Sequence, residues 1–285
     1  MVIVYILAGV ILSTLMSWLI LMKPSGKKHP NEPEMRKFIY AHRGLHDKNI
    51  GIPENSMAAF DRAVSEGYGI ELDVHLSKDG TPVIMHDPSL LRTAGVDIAV
   101  TDIPDRDIKK YPLEGTGERI PLFSEVLTDV DGKVPLLIEL KVDSDNYEAL
   151  CEATVKTLAG YNGIYAVQSF DPRAIKYLRI KYPDVMRGQL SGFLVKSGAE
   201  LNRFLDFGLR NLLTNYMTKP HFIAYRVKDS RKLSVSVCRK LYRPLEFNWT
   251  CRKKAHHVIA HKNGAIPIFE KYIPKGHGAP TQTAL

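Results

Sequence analysis

Cysteine is scarce in this sequence, which has 285 residues and three cysteines, Cys151, Cys238 and Cys251. An odd number of widely spaced cysteines does not indicate a disulfide framework and is compatible with a reducing compartment. Internal repeats and low-complexity tracts are also missing, which argues against a repeat architecture. No linker rich in Gly, Ser or Pro follows residue 37. We therefore predict one large domain.

Charged side chains are absent from residues 1–22. At 1.5 Å per residue, a helix of this length crosses a hydrocarbon core of about 30 Å. A cleaved signal peptide is the alternative, but it needs a basic region before the apolar run and an A-x-A-like cleavage site, and the sequence has neither. Residues 1–22 are therefore predicted to form a single-pass transmembrane anchor in the cell membrane.

Basic residues crowd the stretch after the apolar run, and none precedes the run, so the positive-inside bias predicts a cytoplasmic domain. Residues 23–37 then form a basic juxtamembrane linker. The net charge of +8 favours anionic partners, and lipid is nearer than nucleic acid for an anchored protein, although a soluble basic protein fits the charge equally well. The basic residues of this stretch are Lys23, Lys27, Lys28, Arg36 and Lys37.

Short apolar runs alternate with helical patterns from residue 38 onward, which favours a parallel sheet with crossover helices. At about 250 residues, the leading architecture is a (β/α)8 barrel. An open doubly wound sheet is the alternative, but the G-x-G-x-x-G fingerprint of its dinucleotide-binding version is missing. We predict the barrel over residues 38–275 and a tail over 276–285. The predicted strands are 38–41, 69–76, 82–85, 134–140, 164–168, 185–190, 222–227, 244–249 and 265–269.

Helical stretches lie between these strands, and in the first of them Asn55 or Ser56 fits an N-cap. Residues 88–131 are less regular and are predicted to form an excursion between barrel strands. The predicted helices are 56–65, 147–158, 172–181, 199–207, 230–241 and 253–262.

Acidic residues stand where two of the apolar runs end, and the carboxyl ends of barrel strands converge on one open face. Glu71 and Asp73 are two residues apart, so a strand points both carboxylates to one face. Glu139, near the end of another run, completes a three-carboxylate site whose hard oxygens suit Mg²⁺ or Ca²⁺ rather than Zn²⁺. Alternatively, these acids form salt bridges to Lys78, Lys141 or Arg43.

Two histidines and an arginine stand at similar strand ends. His42 and Arg43 follow the first run, and His86 follows the run 82–85. Imidazole titrates near neutral pH and can act as a general acid or base. Arg43 offers a planar fork to a phosphate. Phosphodiester hydrolysis needs such an electrophilic clamp together with a base for the nucleophile and an acid for the leaving alkoxide.

These residues form a series of motifs: AHRG at 41–44, PENS at 53–56, AF at 59–60, GIELDVHLSKDGTPVIMHD at 69–87 and LIELK at 137–141. The series resembles the glycerophosphodiester phosphodiesterase family, whose fold is a (β/α)8 barrel related to phosphatidylinositol-specific phospholipase C. The resemblance is dense over 41–87 and thins after about residue 190. There, the family's Trp-Thr-Val-Asn reads Trp-Thr-Cys-Arg at 249–252, and its late Thr-Asp is replaced at Glu270.

The resemblance implies that Glu71, Asp73 and Glu139 hold one divalent cation, with Glu54 as a further ligand or a supporting neighbour. It implies that His42 and His86 are the general acid and base. The residues that it assigns to phosphate contact, site orientation or the pocket wall are Arg43, Asn55, Lys141, Gln168 and Trp249.

The expected reaction is metal-dependent hydrolysis of a glycerophosphodiester to glycerol 3-phosphate and an alcohol. Either water or a neighbouring substrate hydroxyl is the first nucleophile. Two alternatives stay open. One keeps the site but changes the substrate to a membrane lysophospholipid or a glycerophosphate polymer, as in a lysophospholipase D. The other is an inactive, membrane-tethered binding or scaffold protein, supported by the late departures from the family pattern. The sequence predicts neither the alcohol nor the oligomeric state.

Overall fold

Eight parallel strands close into a barrel in the computed structural model, which describes residues 1–193 and 203–274. The first strand pairs with both the second and the last, so the ring is closed and the predicted (β/α)8 barrel is confirmed. The strands are β1 (Tyr40–His42), β2 (Gly69–Leu76), β3 (Pro82–Ile84), β4 (Leu136–Leu140), β5 (Tyr165–Ser169), β6 (Arg187–Ser191), β7 (Phe222–Arg226), β8 (Leu245–Cys251) and β9 (Ile266–Phe269).

The strand β3 lies outside the ring. It pairs antiparallel with the last residues of β2, while β2 itself continues the ring by pairing in parallel with β4. The predicted run 82–85 is therefore a strand, but one that extends β2 beyond the barrel. The irregular segment after it packs its own small core, which contains Met85, Leu90, Val100 and Ile120. This excursion brings His86 back over the open end of the barrel.

Helices cover the outside of the ring, and the bounds of the predicted helices 147–158 and 172–181 are matched. Ser56 caps the helix that begins at Met57, because its Oγ accepts a hydrogen bond from the Ala59 amide at 3.2 Å. Of the predicted helix 199–207, residues 199–202 lie outside the described residues. The helices are α1 (Val2–Met22), α2 (Glu32–Met35), α3 (Met57–Ser65), α4 (Leu91–Ala94), α5 (Phe123–Val130), α6 (Tyr147–Leu158), α7 (Pro172–Lys181), α8 (Arg203–Arg210), α9 (Asn215–Thr218), α10 (Leu233–Tyr242) and α11 (Lys254–Lys262).

The strand β2 shows how the barrel sorts its side chains. Ile70, Leu72 and Val74 belong to the apolar layer between the strands and the helices. Successive residues of a strand point to opposite faces, so Glu71 and Asp73 face the barrel interior. Both are buried. Toward the N-terminal ends of the strands, which we call the lower end of the barrel, the interior is filled by a second apolar cluster. This lower interior cluster includes Tyr40, Leu137, Phe222 and Phe247.

The helix α1 is long and apolar enough to cross a membrane. Residues 1–17 are exposed, but the last turn packs on the barrel, where Met22 is fully buried beside Leu212, Ile223 and Tyr225. The segment 23–37 also contacts the barrel. Met35 is buried in the lower interior cluster, and the Tyr40 hydroxyl donates to its carbonyl at 3.2 Å. The chain between the apolar helix and β1 therefore packs against the barrel.

Candidate active site

The structure brings the three predicted acids together. Glu71 and Asp73 lie on β2, and β4 pairs Glu139 directly with Asp73. One carboxylate oxygen from each of the three lies within 4.8 Å of the others, and all three residues are buried. Carboxylates this close repel one another strongly in a buried site, which favours a proton or a cation among them.

Two basic side chains offset part of this negative charge. Lys141 Nζ lies 2.5 Å from Glu139 Oε1 and 3.0 Å from Asp73 Oδ1, and Arg43 Nε lies 3.6 Å from Asp73 Oδ2. Burial alone would raise the pKa of Asp73, but Lys141, His86 and Arg43 together outweigh it and hold that pKa well below its usual value. Asp73 is therefore ionised, and Lys141 also lines the neighbouring cavity.

Glu71 behaves differently from Asp73. Burial raises the pKa of Glu71 well above its usual value, and the neighbouring Asp73 and Glu139 raise it further. The cluster therefore carries more negative charge than its two basic neighbours relieve. A cation bound among the acids would remove this penalty.

The donor atoms fit a hard divalent cation. The three acids supply only carboxylate oxygens, the ligand type of Mg²⁺ and Ca²⁺. Asn55 lies beside them. Its Nδ2 donates to Asp73 Oδ2 at 2.8 Å, and its buried Oδ1 accepts no hydrogen bond from the described residues. The group can therefore hold a metal ion, with an amide oxygen close by.

His42 stands at the end of β1 with its two ring nitrogens in different surroundings. Nδ1 lies 2.6 Å from Glu270 Oε2, and Nε2 lies 4.0 Å from Glu71 Oε2. Burial lowers the pKa of His42 to about 4, although Glu270 acts in the opposite direction. The imidazole is therefore neutral near neutral pH. Donation from Nδ1 to Glu270 leaves Nε2 as an acceptor toward the cavity.

Glu270 is in turn held by Arg252, whose Nε bonds Glu270 Oε1. Burial alone would raise the pKa of Glu270, but the hydrogen bonds from His42 and Arg252 outweigh it and leave the pKa below its usual value. Sequence reasoning missed both residues as parts of the site. The sequence did contain a signal for this pair. Arg252 and Glu270 both depart from the family pattern, they carry opposite charges, and they follow two consecutive strands.

Like His42, His86 is backed by a carboxylate that an arginine holds. Its Nδ1 lies 2.6 Å from Asp87 Oδ1, and Asp87 Oδ2 accepts a hydrogen bond from Arg92 Nε at 2.5 Å. Arg92 also binds Glu54 at 2.6 Å. The side chain of His86 is 30% exposed, so it lies at the cavity mouth, whereas His42 lies deeper.

Glu54 lies outside the group of three acids. Its Oε1 accepts from Arg43 at 2.7 Å and its carboxylate also binds Arg92. Arg43 itself adopts a positive φ of 58°, and its amide donates to Glu71 Oε2 at 3.1 Å. The structure thus places Glu54 as a support that holds the two arginines. Arg43 is therefore held at its guanidinium by Glu54 and at its backbone amide by Glu71.

A cavity of about 430 Å³ joins these groups. Gln168 lines it from β5 with a buried Oε1 that accepts no hydrogen bond from the described residues. Trp249 lines it from β8, where its ring meets Phe170 edge-on at 5.4 Å and its Nε1 donates to the Ala224 carbonyl at 3.1 Å. The cavity walls also include His42, His86, Arg43, Glu71, Glu139, Lys141, Arg226, Lys228 and Arg252.

His75 is a further buried residue that the sequence reasoning missed. It continues the alternation of Glu71 and Asp73 on β2, and that spacing was the available signal. Its Nδ1 lies 2.7 Å from Asp143 Oδ2, and its Nε2 lies 3.3 Å from the His86 carbonyl oxygen. His75 therefore braces the backbone that carries His86.

Comparisons with known proteins agree with this geometry. Residues 42–225 match the glycerophosphoryl diester phosphodiesterase family. A glycerophosphodiester phosphodiesterase of Caldanaerobacter subterraneus is 39% identical over 136 residues, which cover 45% of this chain and 55% of that protein. The putative glycerophosphodiester phosphodiesterase YhdW of Bacillus subtilis is 37% identical over 198 residues, covering 65% and 76%. The rat lysophospholipase D GDPD1 is 36% identical over 118 residues, covering 37% and 36%.

Solved structures show the same fold. An Oleispira antarctica phosphodiesterase, solved with the product sn-glycerol-3-phosphate, has a TM-score of 0.68 and 22% identity, covering 82% of this chain and 93% of that one. A Thermotoga maritima glycerophosphodiester phosphodiesterase has a TM-score of 0.63 and 21% identity, covering 82% and 94%. The match to the first curated relative spans only 55% of that protein, whereas the family match over residues 42–225 spans more than half of this chain. The chain belongs to the glycerophosphodiester phosphodiesterase family.

Proposed function

We propose that this protein hydrolyses glycerophosphodiesters to glycerol 3-phosphate and an alcohol. One observation carries the proposal: two carboxylate-backed histidines, His42 and His86, line the same cavity as Glu71 and Glu139 of the buried group of three acids. An acid, a base and a charge clamp around one cavity are what hydrolysis of a phosphodiester requires. The curated relatives named as glycerophosphodiester phosphodiesterases support it.

Charge neutralisation is the first task of the site. Glu71, Asp73 and Glu139 would hold the divalent cation, which when bound acts as a Lewis acid on the phosphoryl oxygens. Arg43 and Lys141 bind the remaining phosphoryl oxygens. Arg43 is kept in place by Glu54, and its planar fork suits a phosphate.

Proton transfer is the second task. Neutral His42 accepts, at Nε2, the proton of the attacking hydroxyl, and His86 donates a proton to the alkoxide as its bond to phosphorus breaks. Glu270 and Asp87 fix the two rings by accepting from Nδ1. The attacking oxygen comes from water or from a neighbouring hydroxyl of the substrate glycerol. With water, the bond to phosphorus forms as the bond to the alcohol breaks, and the products are glycerol 3-phosphate and the alcohol. With the substrate hydroxyl, a cyclic glycerophosphate forms as the alcohol leaves, and water then opens the ring to give glycerol 3-phosphate.

The test is release of glycerol 3-phosphate from glycerophosphocholine by the full chain, with EDTA, Mg²⁺ or Ca²⁺. We expect metal-dependent release that disappears in His42→Ala, and the better activating ion identifies the metal. Absence of release with any metal, from protein shown to be folded, would contradict the proposal and favour the scaffold alternative.

Lysophospholipid hydrolysis is the second candidate, favoured by the apolar helix α1 and by the similarity to the rat lysophospholipase D. The same assay with lysophosphatidylcholine distinguishes the two. A higher kcat/KM for the lysophospholipid than for glycerophosphocholine would make it the physiological substrate class.

The helix α1 is proposed to remain attached as a single-pass anchor with the barrel in the cytoplasm. The burial of Met22 among Leu212, Ile223 and Tyr225 supports retention of the helix, because cleavage after the helix would expose that apolar cluster. The basic residues that follow the helix support the cytoplasmic side. Protease treatment of intact cells tests the orientation. Digestion of the barrel from outside would contradict a cytoplasmic location.

A further inference from the structure

The junction between α1 and the barrel is built as a fixed joint. Asn215 Nδ2 donates to the Met22 carbonyl at 2.9 Å, and the Tyr242 hydroxyl donates to the Leu19 carbonyl at 2.8 Å. Trp18 and Leu19 pack against the same apolar cluster as Met22. Because residues 1–17 are exposed, the helix projects away from the barrel. Its direction is set by this last turn.

The joint lies at the N-terminal end of the barrel. The Ser25 amide donates to the Pro220 carbonyl at 2.9 Å, two residues before β7 begins. Asn31 Nδ2 donates to the carbonyl of Tyr165, the first residue of β5, at 3.3 Å. His42, in contrast, is the last residue of β1. The anchor and the cavity mouth are therefore at opposite ends of the barrel.

Basic side chains surround the joint, and we call them the basic collar. None of them forms an ion pair with any residue in the described part of the chain, whereas the nearby Glu32 and Glu34 are paired with Arg36 and Lys37. Four collar residues line one small crevice of about 120 Å³ at the joint. The collar consists of Lys23, Lys27, Lys28, Lys219 and Arg243.

Exposed apolar side chains accompany the collar. Tyr216 on α9 is 51% exposed, and Leu241 on α10 is 55% exposed. Both helices contact the last turn of α1 through Asn215 and Tyr242. Unpaired cations mixed with apolar and aromatic side chains are the composition of a surface that rests on anionic headgroups.

We propose that the basic collar binds the anionic headgroups of the bilayer that α1 crosses, so that the barrel rests on its N-terminal end with its mouth open to water. This inference rests on the proposed anchoring of α1. Its consequence for the proposed function is that the site takes a water-soluble glycerophosphodiester rather than a lipid from the same membrane.

The two tryptophans of the chain allow a direct test. Trp18 lies at the joint, and Trp249 lines the cavity. The full chain is reconstituted into phosphatidylcholine vesicles that contain a minor fraction of phosphatidylglycerol, with a headgroup-attached spin label on either lipid. Trp18→Phe and Trp249→Phe give single-tryptophan proteins, so the fluorescence quenching of each position is measured separately.

We expect the labelled phosphatidylglycerol to quench Trp18 about twofold more than labelled phosphatidylcholine at equal mole fraction, because each basic residue attracts anionic lipid. Trp249 should be quenched weakly by both. Lys27→Gln, Lys28→Gln and Arg243→Gln together should abolish the lipid preference, while the matched surface control of Lys78→Gln, Lys156→Gln and Lys176→Gln should retain it.

Equal quenching of Trp18 by the two labelled lipids would overturn the proposal that the basic collar binds anionic headgroups. Quenching of Trp249 as strong as that of Trp18 would overturn the orientation, and the exposed Phe207 on α8, near the mouth, would then be the natural lipid contact. Neither readout depends on turnover. Failure of the hydrolysis proposal in the glycerol 3-phosphate assay is therefore distinguishable from failure of this one.

Discussion

At the scale of single residues, the site repeats one arrangement twice. His42 donates to Glu270, which Arg252 holds, and His86 donates to Asp87, which Arg92 holds. A carboxylate behind an imidazole fixes which nitrogen carries the proton and aims the other at the substrate. An arginine behind the carboxylate keeps that carboxylate ionised and stationary.

The Glu270 arrangement gives the first prediction. Glu270→Gln keeps the shape of the side chain but removes the charge that orients His42, so we expect kcat to fall about 10- to 100-fold with little change in KM. The double variant Glu270→Asp with Arg252→Asn carries the usual family residues at both positions and keeps a carboxylate behind His42. Its kcat should therefore be most of that of the unmodified protein. Steady-state kinetics on glycerophosphocholine measure both.

The exposed Glu66 supplies the matched control, because Glu66→Gln removes one surface carboxylate far from the cavity. Melting temperatures of all variants separate a positioning effect from loss of fold. An unchanged kcat in Glu270→Gln would show that His42 needs no carboxylate behind it.

The second prediction concerns protons and the metal ion. Burial and the adjoining Asp73 and Glu139 raise the pKa of Glu71, so a proton competes with the cation for this carboxylate. Metal binding should therefore release a proton, and metal affinity should rise as pH rises. Isothermal titration with Mg²⁺, in buffers of different ionisation enthalpy, measures the proton release.

The variant Glu71→Gln provides the comparison, since it removes the titrating group. Its residual metal affinity should be weaker and should depend less on pH. Equal pH dependence in the wild type and in this variant would assign the competing proton to another group.

At the scale of elements, local signals account for what the sequence predicted well. The bounds of α7 follow from Asp171, whose Oδ1 accepts from the Arg173 amide at 2.8 Å, and from Pro172 at the first helical position. Alternation of apolar and acidic residues placed Glu71 and Asp73 on one face of β2. Both signals lie within a few neighbouring residues, where a sequence can show them.

Features that depend on the closing of the ring could not be predicted in the same way. The predicted first strand, 38–41, is observed as Tyr40–His42, because only Tyr40, Ala41 and His42 reach partners on β2 and β9. His42 and Glu270 meet only because β1 pairs with β9. A pairing between strands that closes the barrel has no local signature.

Packing inside the barrel gives the third prediction, at Gly188 on β6. A Cβ at this position would lie 2.0 Å from the Phe222 ring on β7. Gly188→Ala should therefore lower the free energy of unfolding by about 1–3 kcal/mol, the usual cost of overpacking a core. Denaturant unfolding measures the change.

Two further variants make this test specific. Gly117→Ala, where an added Cβ has no neighbour within 4 Å, should leave stability almost unchanged. Phe222→Leu should reduce the cost of Gly188→Ala in the double variant, because the clash is with the aromatic ring. If the losses of unfolding free energy of Gly188→Ala and Phe222→Leu simply add in the double variant, the added Cβ does not clash with the Phe222 ring.

At the scale of the whole molecule, the apolar helix α1 and the barrel share a core. The sequence marks a change of composition at residue 23 and predicts a linker over 23–37. In the structure, Met22 and Met35 are both fully buried against barrel residues. The reason is that the lower end of the barrel and the flank formed by α9 and α10 are apolar and need cover. Composition along the chain cannot show which surface a neighbouring segment covers.

The last prediction follows from this shared core. Cys238 on α10 is fully buried beside Met22, with its Sγ 3.9 Å from the Met22 carbonyl oxygen, and burial raises its pKa to about 12. Removing residues 1–22 should expose this thiol, so that it reacts much faster with a maleimide reagent, because exposure lowers the pKa toward that of a free cysteine. Cys151, buried between α6 and α7, is the internal control and should stay unreactive. Labelling of Cys151 or of the buried Cys251 as well as Cys238 would mean that truncation unfolds the barrel. No labelling of Cys238 would mean that α1 does not cover this part of the core.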